Sequence, residues 1–102
     1  MLHLHVNFYA YMRELTHVNK LELEISKEAT VKDLLDQLVE RFGRKFRERV
    51  LEPNGKELRR GIAILVNGRN IEALQRLETK LVDGDIVAVV PPVAGGQNSP
   101  RI

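Results

Sequence analysis

A chain of 102 residues, 43% hydrophobic and 29% charged, has the size and composition of one globular domain and is too short to build a second core. It holds no cysteine, which excludes disulfides, thiolate metal sites and a cysteine nucleophile; its 16 basic and 14 acidic residues leave a net charge of +2, too balanced to point to nucleic acid. No apolar run approaches the roughly 18 residues of a membrane span, and the N-terminus lacks the pattern of an export signal, so the expected compartment is the cytoplasm, with no membrane partner.

The sequence LHLHVNFY at 2–9 alternates, with Leu4, Val6 and Phe8 to one side and His3, His5 and Asn7 to the other, which predicts a half-buried strand. AYMREL allows one helical turn. KLELEI at 20–25 repeats the alternation, with Leu21, Leu23 and Ile25 on one face, and the spacing suits an antiparallel hairpin with a widened loop. Thr30 precedes VKDLLDQLVERF, whose Val31, Leu34, Leu35, Leu38, Val39 and Phe42 recur at helical spacing. This is the one clearly signalled helix: Thr30 serves as N-cap, Asp33 sits in the favourable first turn, and Gly43 stops it. Pro53-Asn54-Gly55 predicts a turn. Gly61 opens IAILVN, apolar on both parities and thus a candidate central strand, and Asn67-Gly68 reverses the chain. Residues 71–77 show no decisive period. Asp83-Gly84-Asp85 predicts another turn, and the β-branched run IVAVV at 86–90 reads as the last strand. Two strands, a helix and at least two further strands predict an α+β fold of the ubiquitin-like β-grasp kind: a mixed sheet of four to five strands crossed by one main helix, over residues 1–92, with a tail at 93–102. The first and last strands are expected to pair at its centre.

Three features remain once the core is assigned. Strand parity turns Tyr9 away from Leu4, Val6 and Phe8, which makes this large aromatic a docking candidate. On the last strand Ile86, Ala88 and Val90 share one face and Val87 and Val89 the other, so one apolar set lies outside the main core or under a neighbouring segment. Arg41, Arg44, Lys45, Arg47 and Arg49, followed by Arg59 and Arg60, form a basic cluster read first as a solvated helix end, with an acidic protein or nucleic acid as other readings. His3 and His5 share a strand face at ligand-like spacing with His17 within possible reach, but no carboxylate or thiol is placed beside them, and a plain surface face is expected. No Ser-His-Asp set, phosphate-cradling loop or zinc spacing occurs, so the chain is expected to be no autonomous enzyme and to hold no metal.

After the last strand stands PPVAGG at 91–96. With NFYAYMREL, TVKDLLDQL, ILVNGR and LVDGDIVAVV before it, this tail resembles the small subunit of molybdopterin synthase and its ubiquitin-like sulfur-carrier family, over most of the chain. The resemblance implies a carrier with no bound cofactor. The carboxylate of Gly96 is adenylated by an E1-like enzyme that binds the ATP, is converted to a thiocarboxylate, and donates sulfur within a complex with the large subunit of molybdopterin synthase. Gly95 and Gly96 lack Cβ and can thread a narrow channel, and Pro91 and Pro92 end sheet pairing and hold the tail extended. With Val93 and Ala94 the six residues reach about 20 Å. The resemblance also marks Val90 as a contact beside the tail and covers Arg13, whose role it leaves open.

The family pattern ends at the second glycine, whereas here QNSPRI follows. Until it is removed, the Gly96 carbonyl is an amide to Gln97 and cannot be adenylated, so the carrier reading requires a processing protease. A ubiquitin-like modifier conjugated to lysines and an unprocessed binding domain are the other readings, and related carriers in thiazole or cysteine synthesis leave the sulfur acceptor open.

Overall fold

The chain is described by a computed structural model over residues 1–92; Val93, Ala94, Gly95, Gly96 and the six residues after them lie outside the described residues. β1 (Leu2–Phe8) and β2 (Lys20–Ile25) form the predicted antiparallel hairpin, with Leu4 opposite Leu23 and Val6 opposite Leu21. The widened loop between them holds the short helix α1 (Met12–Thr16). Alternation has its expected effect: Leu4, Val6, Phe8 and Ile25 are buried, and Leu21 and Leu23 half-buried.

α2 (Val31–Phe42) begins in a reciprocal cap. The Asp33 backbone N–H donates to the Thr30 hydroxyl at 3.3 Å, and the Thr30 N–H donates to the Asp33 carboxylate at 2.9 Å. Val31, Leu34, Leu35 and Leu38 form its buried stripe, and they join Leu4, Val6, Phe8, Val87 and Val89 in one core. Gly43 ends the helix at φ +91°, a conformation that favours glycine.

The basic stretch after Gly43 is solvated as expected, with Arg44, Lys45 and Arg49 exposed, but it is not the end of α2. It is a separate helix, α3 (Arg44–Val50), whose Phe46 and Val50, four residues apart, are fully buried. The Phe46 ring centroid lies 6.2 Å from that of Phe8 and 5.7 Å from that of Phe42, while Phe8 meets Phe42 edge-on at 5.6 Å. The arginines of α3 are what the sequence displays most loudly, yet two apolar side chains fix the helix.

β3 (Ala63–Val66) turns through Asn67 and Gly68, both at positive φ, into the two-residue β4 (Arg69–Asn70). The stretch without a clear period contains two 3₁₀ turns, Ile71–Ala73 and Arg76–Glu78, with Ile71 and Leu77 buried. β5 (Ile86–Val90) then enters between β1, to which it runs parallel, and β3, to which it runs antiparallel. The order β2-β1-β5-β3-β4 places the first and last strands together inside a five-stranded mixed sheet crossed by one main helix, the β-grasp architecture expected. Among the described residues no helix is long and apolar enough to cross a membrane.

Candidate functional site: the open sheet face and the end of β5

The strand that leads to the tail is held by a buried carboxylate. Asp85 accepts the Val82 N–H at 2.8 Å and the Asn67 side-chain amide at 2.8 Å, and the Asn67 carbonyl oxygen in turn accepts the Ile86 N–H at 2.9 Å. The DGD turn and the NG turn are thereby tied together, and Ile86 starts β5 in a fixed register. On the outer side of that turn the His3 backbone N–H donates to Asp83 at 2.7 Å and holds its carboxyl below the ordinary carboxylate range.

β5 divides its apolar residues between two faces. Val87 and Val89 are in the core, and Ile86, Ala88 and Val90 emerge on the side of the sheet away from it. There they line a shallow apolar groove with Tyr9, Leu65 and the edge of Asn7. Tyr9 is 48% exposed and Ile86 47%, so two large apolar side chains stand open to solvent within one groove. Tyr9 and Val90, both singled out from the sequence, therefore meet. Leu65 was not singled out, although the parity of Ala63–Val66 carries the signal: Ile64 and Val66 are buried, which leaves Ala63 and Leu65 for the opposite face. Arg13 is exposed on α1 and is not among the residues that line the groove.

The exit of the chain is shaped by a contact invisible in local sequence. Ala63 is the register partner of Val90. Continuing that antiparallel line sets Pro91 beside Ile62 and Pro92 beside Gly61. Pro91 is buried, Pro92 is exposed, and a Cβ built on Gly61 falls 2.7 Å from Cβ of Pro92. Gly61 also has φ +89°. The glycine thus lets the second proline lie against the loop before β3. Gly61→Ala is expected to destabilise the fold by about 1–3 kcal/mol more than Gly84→Ala. Gly84 has a similar φ of +87° but open space where its Cβ would go, so the difference isolates the proline contact. Urea midpoints of the two variants check this, and equal losses would show that the tail yields freely.

The histidines correct a further expectation. Carboxylates do stand beside them: His3 Nε2 lies 2.8 Å from Glu24 and Nδ1 3.4 Å from Asp83, and His5 lies 3.8 Å from Glu22. These are cross-strand and turn pairs on an exposed face. Among the described residues no group of three or more His, Cys, Asp or Glu is arranged to hold a metal. His17 sits elsewhere, in a recess with Phe42 and Arg44.

The geometry is that of a small domain with an apolar face on one side of its last strand, β5, beside the prolines that follow it. Comparison with known proteins agrees. The model of the ThiS family matches residues 6–96. Small archaeal modifier protein 3 of Haloferax volcanii is 34% identical over 99 residues, covering 93% of this chain and 100% of that protein. The molybdopterin synthase sulfur carrier subunit of Drosophila ananassae is 30% identical over 98 residues, covering 94% and 93%. The crystal structure of SAMP1 from Haloferax volcanii superimposes with a TM-score of 0.78 at 30% identity, covering 92% of this chain and 99% of that one. These relatives are named as carriers or modifiers and not as enzymes, and the chain belongs to the ThiS family of ubiquitin-like sulfur carriers.

Proposed function

We propose that the chain is cut between Gly96 and Gln97 and then carries sulfur as a thiocarboxylate on Gly96, which it donates in molybdopterin synthesis. The observation that carries this reading is a juxtaposition: the exposed apolar face formed by Tyr9, Ile86 and Val90 adjoins the strand end from which Pro91 and Pro92 lead to Val93-Ala94-Gly95-Gly96. A partner seated on that face is well placed to receive the tail.

The chemistry follows from the poor electrophilicity of a carboxylate. Hydrolysis of the Gly96–Gln97 amide by a processing protease adds water across the bond and leaves a carboxylate on Gly96 and an amine on Gln97. One carboxylate oxygen then attacks the α-phosphate of ATP in the site of an E1-like enzyme, pyrophosphate departs, and the product is an acyl-adenylate. A nucleophile of the hydrosulfide class attacks the acyl carbon, AMP leaves with the C–O bond, and the thiocarboxylate remains. This chain contributes no catalytic side chain and binds no cofactor in that sequence; its share is binding and access. Gly95 and Gly96 keep the acyl carbon unhindered, the prolines reduce the entropy lost on insertion, and Tyr9 and Val90, with Arg13 on α1, offer contacts to the activating enzyme and to the large subunit of molybdopterin synthase. With no cysteine in the chain, the acyl-adenylate meets no thiol of its own.

Intact mass of the protein from its own organism tests the reading. A species ending at Gly96 with one oxygen replaced by sulfur is the expected result, and universal retention of QNSPRI would overturn it in favour of an unprocessed binding domain. In cut protein Gly96→Trp is expected to abolish adenylation, measured as ATP–pyrophosphate exchange, with unfolding unchanged. The relative named small archaeal modifier protein 3 supports a second reading, conjugation of Gly96 to lysines. Conjugates in cell extract that survive thiol treatment would favour it.

A further inference from the structure

Charge is distributed unevenly along this chain. Residues 44–60 carry seven basic and three acidic side chains, a net +4, whereas the remainder carries nine basic and eleven acidic, a net −2. The fold brings part of that basic segment to the end of β5. Arg49, Arg59 and Arg60 line one recess together with Tyr11, Ile62 and Pro92 and with one acidic residue, Glu48, so the recess carries three arginines against one carboxylate and the second proline of the exit forms part of the wall.

Two of these arginines have no carboxylate partner among the described residues. The Arg49 guanidinium lies over the Tyr11 ring, 5.6 Å from its centroid, which orients it. Arg59 is occupied, donating from Nε to the Glu48 carbonyl at 2.8 Å and lying 3.7 Å from the Glu52 carboxylate. Among the described residues no carboxylate forms an ion pair with Arg49 or Arg60, both exposed.

We propose that this recess takes an acidic segment of the protein that receives the tail. The inference rests on the carrier reading above, because it requires a partner that engages residues 93–96. Pro92 is four residues from Gly96, so a protein that encloses the diglycine brings its own surface within about 13 Å of the recess. Planar guanidinium groups match carboxylates in a bidentate manner. The apolar groove ending at Val90, on the same strand end, suits a folded protein surface and offers nothing to a polyanionic backbone, which favours acidic polypeptide over nucleic acid. Charged contacts of this exposed kind act mainly on encounter and affinity and leave the chemical step alone.

Two measurements test the proposal. In an NMR titration of the full 102-residue chain with decaglutamate, the side-chain signals of Arg49 and Arg60 and the ring signals of Tyr11 are expected to move. The Tyr11 ring signals should stay still in the Arg49→Glu/Arg60→Glu variant. Shifts spread evenly to distant cations such as Lys27 and Lys32, or no shifts, overturn the proposal, and tighter binding of a single-stranded oligonucleotide at the same signals replaces it with a nucleic-acid site. In the second, the chain ended at Gly96 is assayed for ATP–pyrophosphate exchange with the activating enzyme of the same organism. The double variant is expected to raise KM for the chain about tenfold at low salt with kcat within about twofold, the difference shrinking as salt rises. The milder Arg49→Gln/Arg60→Gln pair should move KM in the same direction, which separates lost charge from misfolding. An unchanged KM overturns the proposal, whereas no exchange even with the unaltered chain defeats the carrier reading and leaves the titration to decide the recess by itself.

Discussion

Phe46→Ala is expected to cost about 3–5 kcal/mol of folding free energy, the range for emptying a fully buried aromatic site, out of a total of about 5–15 kcal/mol for a domain of this size. The ring has no exposed surface and is enclosed by Phe8 from β1 and Phe42 from α2. Its loss therefore opens a cavity where three elements meet, and neither neighbour can collapse into it without leaving its own position. α3 is seven residues long, too short to hold by itself, and Phe46 and Val50 are its buried residues. Chemical denaturation should show a lower midpoint, and loss of amide protection should begin in residues 44–50. Phe46→Leu, which retains most of the apolar volume, should lose markedly less. A Phe46→Ala protein as stable as the parent would mean that α3 is held by its charged face.

The second large effect falls on binding and spares the fold. Ile86→Lys places an ammonium group in the apolar groove at a position already 47% exposed, so its effect on stability is expected to stay within about 1 kcal/mol. A partner seated over Tyr9, Ile86 and Val90 would have to bury that charge. A loss of affinity of at least about tenfold, or roughly 1.4 kcal/mol, is expected, and central anchor positions commonly lose far more. Calorimetric titration of the cut chain against its activating enzyme checks this, with the melting curve confirming that the variant is folded. Equal affinity would move the docking surface to another face of the molecule.

What could be read in advance from the residues depended on how local each signal is. β1, β2, α2 and β5 carry complete periodic patterns, and Thr30 with Asp33 marks a helix start within four residues. Periodicity also separated Ile86, Ala88 and Val90 from Val87 and Val89, and it turned Tyr9 outward, so much of the groove was legible. α3 was hidden because its seven residues contain four arginines and lysines, which read as a surface cluster, while the pair Phe46 and Val50 is too short a pattern to weigh against them. β4 is two residues long and gains its form from pairing with β3. From the residues Gly61 reads only as the opening of IAILVN: its contact with Pro92, 31 positions later by residue number (92 − 61), depends on a register that exists only in the assembled sheet. The convergence of Arg49, Arg59 and Arg60 at the exit is likewise a product of tertiary placement. Val93, Ala94, Gly95 and Gly96 rest on resemblance alone.

The central position of β5 also makes access to the tail a matter of biosynthetic timing. The strand is nearly the last part of the domain to be synthesised, yet it supplies the inner rung between β1 and β3, and its pairing of Ile86 with His5 spans most of the chain. The groove likewise draws Tyr9 from the early part, Leu65 from the middle and Ile86 from the late part. An enzyme that recognises this face samples three distant stretches at once and can find them together only on a finished molecule. A truncated or unfolded chain can still expose two glycines, but it displays no address beside them. Under the proposed carrier function, recognition through the assembled face would work as a coincidence detector, sparing ATP from being spent on chains that have not folded.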